Sequence, residues 1–250
     1  MKLTVDLNAD LGEGAASERA LLALVSSANI ACGFHAGDPG SMMRSILAAK
    51  AAGVAVGAHP SLPDRENFGR RERPVTPNEI WALVAYQVGA FQAIATSLGV
   101  RPHHVKPHGA LYNMAARDSA LAEAVAQAVF AVDRSLILFA PGGSALARAG
   151  AAIDLRVARE AFADRNYLPD GSLVPRTRSD ALLHDAEAAA ERVLRMLREN
   201  VVRAVDGSEV AIQADTICVH GDTPEAVAFA KNLRAQLEGA GIAVSAPEQT

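Results

Sequence analysis

The chain has 250 residues, of which 50% are hydrophobic and 21% are charged, proportions typical of a globular protein with a substantial core. Its net charge of −4 argues against a general nucleic-acid-binding protein, which is usually basic. No apolar run reaches the roughly 18 residues that span a bilayer, and residues 1–6 become polar too soon for a signal peptide. Cys32 and Cys218 each lie in an apolar run, as expected of buried, reduced thiols. We therefore expect a cytoplasmic protein that binds neither nucleic acid nor membranes.

In chain order, short apolar segments closed by polar residues or glycine predict seven strands. They are 3–8, 29–32, 54–58, a fourth that ends at the Lys106 and His108 motif, 136–140, 155–158 and 216–219. Helical patterns occupy 17–27, 39–52, 76–98, 119–129, a short segment ending near 149, 180–200 and a last helix that begins at 223–225. Segments 201–205 and 210–212 predict a small hairpin around an Asp-Gly turn, and 242–244 predicts a final strand.

This alternation of strands and amphipathic helices, at a spacing of roughly 25 residues, predicts a parallel sheet with crossover helices. An open doubly wound sheet usually places its chemistry at one switch point. Here polar residues close nearly every strand, as expected of a barrel whose active site lies at the carboxyl ends of its strands. We therefore predict a single TIM-like (β/α) barrel domain over residues 1–250, with about seven strands.

The polar residues at the predicted strand ends would converge on one mouth of such a barrel. They are Asp10, Glu13, His35, Asp38, His59, Lys106, His108, Glu160, Asp164, Arg165, His220 and Asp222. Lys106 and His108 are two residues apart on an extended segment, so their side chains point to the same face. Four of the seven histidines occupy such positions. This pattern favours a shared functional site over four unrelated structural roles.

Two uses of this set stay open. In the first, Asp10, His59 and His108 bind a divalent metal ion that activates water, as in carbohydrate deacetylases built on similar barrels. No His-x-x-x-His or Glu-x-x-His helix signature supports this use. In the second, carboxylates and histidines perform acid–base chemistry while Lys106 and loop arginines such as Arg65 hold a carboxylate or phosphate. The simpler interpretation of that arginine-rich loop, 62–76, is an ordinary solvated surface.

Six stretches of the sequence are long and specific enough to carry a family resemblance. They are DLNADLGE at 6–13, NIACGFHAGD at 29–38, GAHPS at 57–61, VKPHGALYN at 105–113, EAFADR at 160–165 and VHGD at 219–222. Together they resemble the LamB/YcsF family, the A subunits of the prokaryotic 5-oxoprolinase. The resemblance implies a barrel related to those of glycoside hydrolases and deacetylases. It also implies ATP-dependent hydrolysis of 5-oxo-L-proline (pyroglutamate) to L-glutamate, together with separate B and C subunits.

Opening a five-membered lactam is uphill or nearly so, and phosphorylation of the amide oxygen by ATP would activate it. Such a step needs cations, with Mg²⁺, to offset charge on the transferring phosphoryl group. Our hypothesis divides the residues into two groups. The catalytic group comprises Asp10 and Glu13, which hold Mg²⁺ or orient water, Glu160 or His59 as general base, Lys106, and His108 as a donor to the leaving oxygen. The substrate- or phosphate-binding group comprises His35, Asp38, Arg65, Asp164, Arg165, His220 and Asp222.

Two further functions stay open at this point. A metal-dependent deacetylase or amidase on a related barrel would act alone, without ATP. A non-catalytic subunit would bind the substrate for partner subunits that perform the chemistry.

Overall fold

The computed structural model describes residues 3–219 and 226–249. Its strands are β1 (Thr4–Leu11), β2 (Ser27–Ala31), β3 (Ala55–His59), β4 (His104–Val105), β5 (Ile137–Pro141), β6 (Val157–Phe162), β7 (Val201–Arg203), β8 (Glu209–Ala211), β9 (Thr216–Cys218) and β10 (Ala243–Val244). Its α-helices are α1 (Glu18–Leu21), α2 (Pro39–Ala52), α3 (Pro77–Ser97), α4 (Gly109–Arg117), α5 (Ser119–Val132), α6 (Ala145–Ala152), α7 (Ala186–Glu199) and α8 (Ala226–Gly239). A short 3₁₀ turn covers Arg65–Asn67.

Within the described residues, seven parallel strands close into a barrel in the order β1-β2-β3-β4-β5-β6-β9, and β9 pairs back with β1. The sequence-based prediction of a TIM-like barrel with about seven strands is confirmed. β10 adds in parallel to the beginning of β1, and β7 and β8 form the predicted antiparallel hairpin outside the barrel. The barrel strands run in the same direction, so side chains near their carboxyl ends share one mouth.

Several predicted element bounds are wrong. The first strand, predicted over 3–8, continues to Leu11 and so contains Asp10. The helix predicted over 17–27 is only α1, because the hydroxyls of Ser26 and Ser27 donate to Asp6 on the neighbouring β1 and hold this segment against the sheet. The helix predicted from 180 begins at α7, where Asp185 caps the first backbone N–H groups. The sixth strand is β6 rather than 155–158, which places Glu160 inside the strand. The short helix α4 was missed.

The long helix α3 begins at a capping box formed by Thr76 and Glu79, as its sequence predicts. By length and composition it is the one described helix that could cross a membrane. Its Ile80, Val84 and Phe91 are buried in the core around the barrel. A helix of a protein core can be as long and apolar as a membrane span. Because these side chains pack in the core around the barrel, we assign α3 as a core helix.

The interior of the barrel is polar, unlike the packed aliphatic interior usual for such barrels. Along β1, Leu7 and Ala9 belong to the hydrophobic core that the helices cover. Asp6, Asn8 and Asp10 alternate with them and bond side chains inside the barrel, Thr216, Glu160 and Lys106 respectively. His104 also crosses this interior. A Cβ atom on Gly57 would lie 2.2 Å from its ring, so only glycine leaves room for the imidazole.

Candidate active site

The mouth of the barrel is organised around the ammonium group of Lys106, which follows β4. Its Nζ lies 3.0 Å from Asp10 Oδ1 and 2.9 Å from Glu160 Oε1, and it also donates to the Cys218 sulfur at 3.0 Å. Burial alone would lower the pKa of Lys106, but the two carboxylates and the sulfur reverse this and raise it well above its ordinary value. Lys106 is therefore a fixed cation and not a general base.

Glu160 is fixed in turn by neutral donors. Tyr112 donates its hydroxyl to Oε2 at 2.6 Å, and Asn8 donates its amide to Oε1 at 3.0 Å. The same Asn8 accepts from Asn29 at 2.7 Å, and Asn29 bonds Asp10 at 2.8 Å. The floor of the site is thus a continuous hydrogen-bonded layer that sets the distance between the two carboxylates beside Lys106.

Beside Lys106, three imidazoles and a carboxylate gather at the ends of neighbouring strands. His59 ends β3, His35 follows β2 and His108 is the residue directly before α4. His35 stacks on His108 with ring centroids 3.8 Å apart, and His59 meets both rings edge-on. Glu13 Oε1 lies 2.8 Å from His35 Nε2. Within the described residues, the ligand atoms of Glu13, His35, His59 and His108 all lie within 4.8 Å of one another. We call these four residues the imidazole cluster.

The loop after β3 covers this cluster with Phe68. The Phe68 ring packs edge-on against His35 and His108, with ring centroids 5.4 Å apart in both cases. Its carbonyl oxygen accepts from His108 Nε2 at 2.8 Å. Phe68 adopts φ of 54°, an uncommon left-handed conformation for a large side chain. This backbone conformation places both the ring and the carbonyl of Phe68 over the imidazoles.

The three histidines differ in basicity. Burial, reinforced by neighbouring His59, lowers the pKa of His35 to about 2 and the pKa of His108 well below its ordinary value. Burial also lowers the pKa of His59, but Asp10 and Glu13 overcome it and give a net rise. Asp10 Oδ2 lies 3.3 Å from His59 Nε2. His59 is thus the most basic imidazole of the cluster.

The predicted site residues fall into four groups in the structure. Asp10, Glu13, His35, His59, Lys106, His108 and Glu160 come together at the mouth, as described above. Asp38 lies outside this group, where it is exposed and accepts from Ser41 N as the cap of α2. Arg65 donates to the carbonyls of Gly33 and Gly37 and so holds the loop after β2. His220 and Asp222 lie outside the described residues.

Asp164 and Arg165 follow β6. The backbone carbonyl of Asp164 accepts from Leu183 N at 2.8 Å, and its side chain is partly buried. Arg165 is 7% exposed and donates from one terminal nitrogen to Val174 O at 2.6 Å. Its buried Nε–H has no hydrogen-bond partner among the described residues. Burial, together with the neighbouring Arg176, lowers the pKa of Arg165 to about 10.

Sequence reasoning missed the supporting residues Asn8, Asn29, Tyr112 and Cys218. The signal for Asn8 was present, because polar residues at 6, 8 and 10 alternate with apolar ones along β1. Tyr112 gave no such signal. It reaches Glu160 only because α4, whose register was not predicted, begins at Gly109.

Comparison with known proteins identifies the family of this chain. The sequence pattern of the LamB/YcsF family matches residues 5–250. The chain belongs to the LamB/YcsF family. This member is 54% identical over 251 residues to a protein from Bordetella pertussis named as the A subunit of 5-oxoprolinase, a match that covers 98% of this chain and 100% of the relative. A relative of the same name from Bordetella parapertussis has the same identity and coverage.

Solved structures show the same fold. The crystal structure of the lactam utilization protein from Thermus thermophilus has a TM-score of 0.91 and 47% sequence identity, and the match covers 98% of this family member and 100% of that chain. A family 4 carbohydrate esterase from Streptomyces lividans has a TM-score of 0.52 and 12% identity, over 98% and 93% of the two chains. The second likeness concerns the fold alone, and it agrees with the expected relation to deacetylase barrels.

Proposed function

We propose that this chain is the A subunit of an ATP-dependent 5-oxoprolinase, which opens 5-oxo-L-proline to L-glutamate together with B and C subunits. The observation that carries the proposal is the 54% identity to a relative named as the A subunit of 5-oxoprolinase, over 98% of the chain. The relative named a lactam utilization protein supports the same class of substrate, a cyclic amide.

The fixed cation at the mouth suits the chemistry of lactam opening. Negative charge develops on the lactam oxygen when water adds to the ring carbon, and a preorganised buried cation stabilises it. Lys106 is 3% exposed and its position is set by Asp10 and Glu160. In this proposal Lys106 faces the lactam or phosphoryl oxygen, Asp10 orients the attacking water, and Glu160 holds Lys106 in place.

The substrate carboxylate needs a second cation, and Arg165 is the candidate. It is buried, and its Nε–H lacks a partner among the described residues. An unpaired buried donor costs about 1–3 kcal/mol, a cost that a bound carboxylate would remove. A carboxylate on a guanidinium also fixes the orientation of the substrate ring.

ATP supplies phosphoryl transfer to the lactam oxygen, which makes the ring carbon more electrophilic, and Mg²⁺ accompanies its phosphates. Ring opening consumes one water and breaks the C–N bond, so that the nitrogen leaves as the amine of glutamate. Hydrolysis of the phosphoryl group consumes a second water and releases phosphate. The residues of this chain bind the lactam, stabilise its oxygen and exclude bulk water.

The test is glutamate release from 5-oxoproline by the purified chain, alone and with its B and C partner subunits, each with and without Mg-ATP. The proposal predicts glutamate only when ATP and the partners are present. ATP-independent release by the chain alone would contradict it and would support a metal-dependent amidase instead. Full activity of the partners without this chain would also contradict it.

A metal-dependent amidase is the second candidate because of one observation, the imidazole cluster beside Asp10. Such an enzyme would act on its own and would lose activity on treatment with a chelator in the absence of ATP. A carbohydrate esterase shares the fold, but that likeness says nothing about substrate. The ATP requirement therefore separates the two candidates.

A further inference from the structure

The tautomers of two histidines in the imidazole cluster are fixed by backbone carbonyls. His59 Nδ1 lies 2.6 Å from Lys106 O, and His108 Nε2 lies 2.8 Å from Phe68 O. A carbonyl oxygen only accepts, so each of these nitrogens carries the hydrogen. The opposite nitrogens, His59 Nε2 and His108 Nδ1, are left with lone pairs that point into the cluster.

These two lone pairs face each other. His59 Nε2 and His108 Nδ1 are 3.0 Å apart, a hydrogen-bond distance with no hydrogen between two neutral rings. Glu13 Oε1, another acceptor, lies 3.7 Å from His108 Nδ1 and 3.9 Å from His59 Nε2. Acceptors this close repel one another unless a cation lies among them. The cation is either a proton or a metal ion.

His35 completes the group. It bonds Glu13 through Nε2, while its buried Nδ1 has no hydrogen-bond partner among the described residues. The Glu13 carboxylate holds the hydrogen on Nε2. Because no described partner competes for Nδ1, the hydrogen can move there when an ion binds and leave an Nε2 lone pair that points at the same centre. A proton links two acceptors, whereas four ligand atoms converge here, which favours a metal ion.

We propose that Glu13, His35, His59 and His108 form a binding site for a divalent transition-metal ion, of which Zn²⁺ fits best. Bonds of about 2.0–2.1 Å in a tetrahedron separate neighbouring ligand atoms by about 3.4 Å. Four of the separations in the structure run from 2.8 Å between His35 and Glu13 to 3.9 Å between His59 and Glu13, and all the ligand atoms lie within 4.8 Å of one another. Side-chain shifts that draw the more distant ligand atoms inward would match the two.

The ligand types select the ion. Three imidazole nitrogens and one carboxylate suit zinc, whereas Mg²⁺ prefers oxygen ligands and keeps its waters. The site is also accessible from solvent, because the Glu13 side chain is 12% exposed and His108 6%. The sequence-based metal set of Asp10, His59 and His108 shares two of these ligands. Asp10 Oδ2, 3.3 Å from His59 Nε2, lies at the edge of the site, and its other oxygen bonds Lys106.

This site does not depend on the proposed substrate, so its test does not use activity. The full chain is stripped with a chelator, dialysed and titrated with Zn²⁺, Co²⁺ and Mg²⁺ by calorimetry, and bound metal is counted by elemental analysis. We expect one Zn²⁺ per chain, a Zn²⁺-dependent rise in Tm, no comparable effect of Mg²⁺, and Co²⁺ absorption bands of low-symmetry, four- or five-coordinate cobalt.

Variants identify the ligands. His108→Ala should weaken Zn²⁺ binding by more than the roughly 10–100-fold that loss of an outer partner costs. Glu13→Gln keeps the size of a partly exposed side chain, and so tests the site even if His108→Ala does not fold. His184→Ala is the matched control, because this histidine is exposed and outside the cluster. Zn²⁺ binding in Glu13→Gln equal to that of His184→Ala would overturn the proposal, as would a wild-type chain that binds Zn²⁺ no better than Mg²⁺.

Discussion

Two groups of histidines lie at different levels of the same barrel, and they differ in the charged groups that surround their ring nitrogens. At the amino end of β4, His104 bonds Asn29 Oδ1 at 2.8 Å and His103 at 3.1 Å, and His103 bonds Pro247 O at 2.8 Å. Both Nε2 atoms of this lower pair meet neutral acceptors, so their two Nδ1 atoms also face each other as acceptors. Among the described residues, however, this pair belongs to no group of three or more metal-ligating side chains. At the mouth, ring nitrogens of His59 and His108 point at each other and at carboxylates.

The comparison shows that burial alone does not distinguish a structural histidine from a functional one. Buried polar groups with partners stabilise and specify a fold. Buried acceptors that converge on one point repel one another, which lowers stability unless a bound cation or ligand satisfies them. Such groups are therefore candidates for functional sites. We therefore expect lower polar residues such as His104 and Asn29 to hold the scaffold, and the mouth residues to carry the proposed chemistry.

The largest expected effect is that of Lys106→Met, which removes the cation between Asp10 and Glu160. Breaking a buried ion pair by deleting one partner costs about 3–5 kcal/mol, because the remaining carboxylates are left uncompensated. ATP-dependent glutamate release should be abolished, and the free energy of unfolding in urea should fall by that order. Lys231→Ala, on the exposed face of α8, is the control. Near-normal turnover in Lys106→Met would remove this residue from the mechanism.

Gly57→Ala should act on the lower level instead. The added Cβ would lie 2.2 Å from the His104 ring, so the imidazole must move, and overpacking of a core costs about 1–3 kcal/mol or more. Urea denaturation measures the loss. Gly89→Ala is the matched control, because a Cβ there meets nothing within 4 Å. Equal stability of the two variants would contradict the position of His104.

The barrel and its strand ends could be predicted from sequence, because the alternation of strand and helix patterns and the polar residue after each strand are local signals. What could not be predicted depends on register across the barrel. In the sequence, Asn29 begins an apolar strand and shows no sign of a polar role. In the structure its side chain bonds Asn8, Asp10 and His104, which lie on two other strands. Asp38, by contrast, was assigned to the site only because it follows a strand. In the structure it caps the beginning of α2 instead.

A pH-dependent effect is expected at the base of the interior. Burial raises the pKa of Asp6 to about 6, despite hydrogen bonds from Ser26, Thr216 and Ser27 that lower it. The folded chain therefore binds more protons than the unfolded chain between about pH 4 and 6. The contribution of Asp6 to the free energy of unfolding falls as pH rises through this window and stays low above it.

Asp6→Asn removes this titration. The wild-type minus variant difference in the free energy of unfolding should decrease between about pH 4 and 6 by up to roughly 3 kcal/mol. Urea denaturation at closely spaced pH values measures it. A difference that rises with pH, or stays flat, would show that Asp6 is ionised throughout the folded state.

Among the mouth variants, the smaller expected effect on turnover is that of Tyr112→Phe, which removes one donor to Glu160 but leaves Lys106 and Asn8 in place. Loss of one hydrogen bond to a buried charged group costs about 1.5–3 kcal/mol, less than loss of the cation. Turnover should fall but persist. Tyr86→Phe is the control, since Tyr86 is 65% exposed. Complete loss of turnover in Tyr112→Phe would place the tyrosine hydroxyl itself in the chemistry.

The most direct test of the two-level account compares His59→Ala with His104→Ala, measuring both ATP-dependent glutamate release with the partner subunits and the free energy of unfolding. The account predicts that His59→Ala abolishes turnover with the smaller loss of stability. His104→Ala should lose about 2–4 kcal/mol of stability and keep measurable turnover while folded. The reverse result, with turnover lost in a stably folded His104→Ala and retained in His59→Ala, would contradict the division between mouth and scaffold.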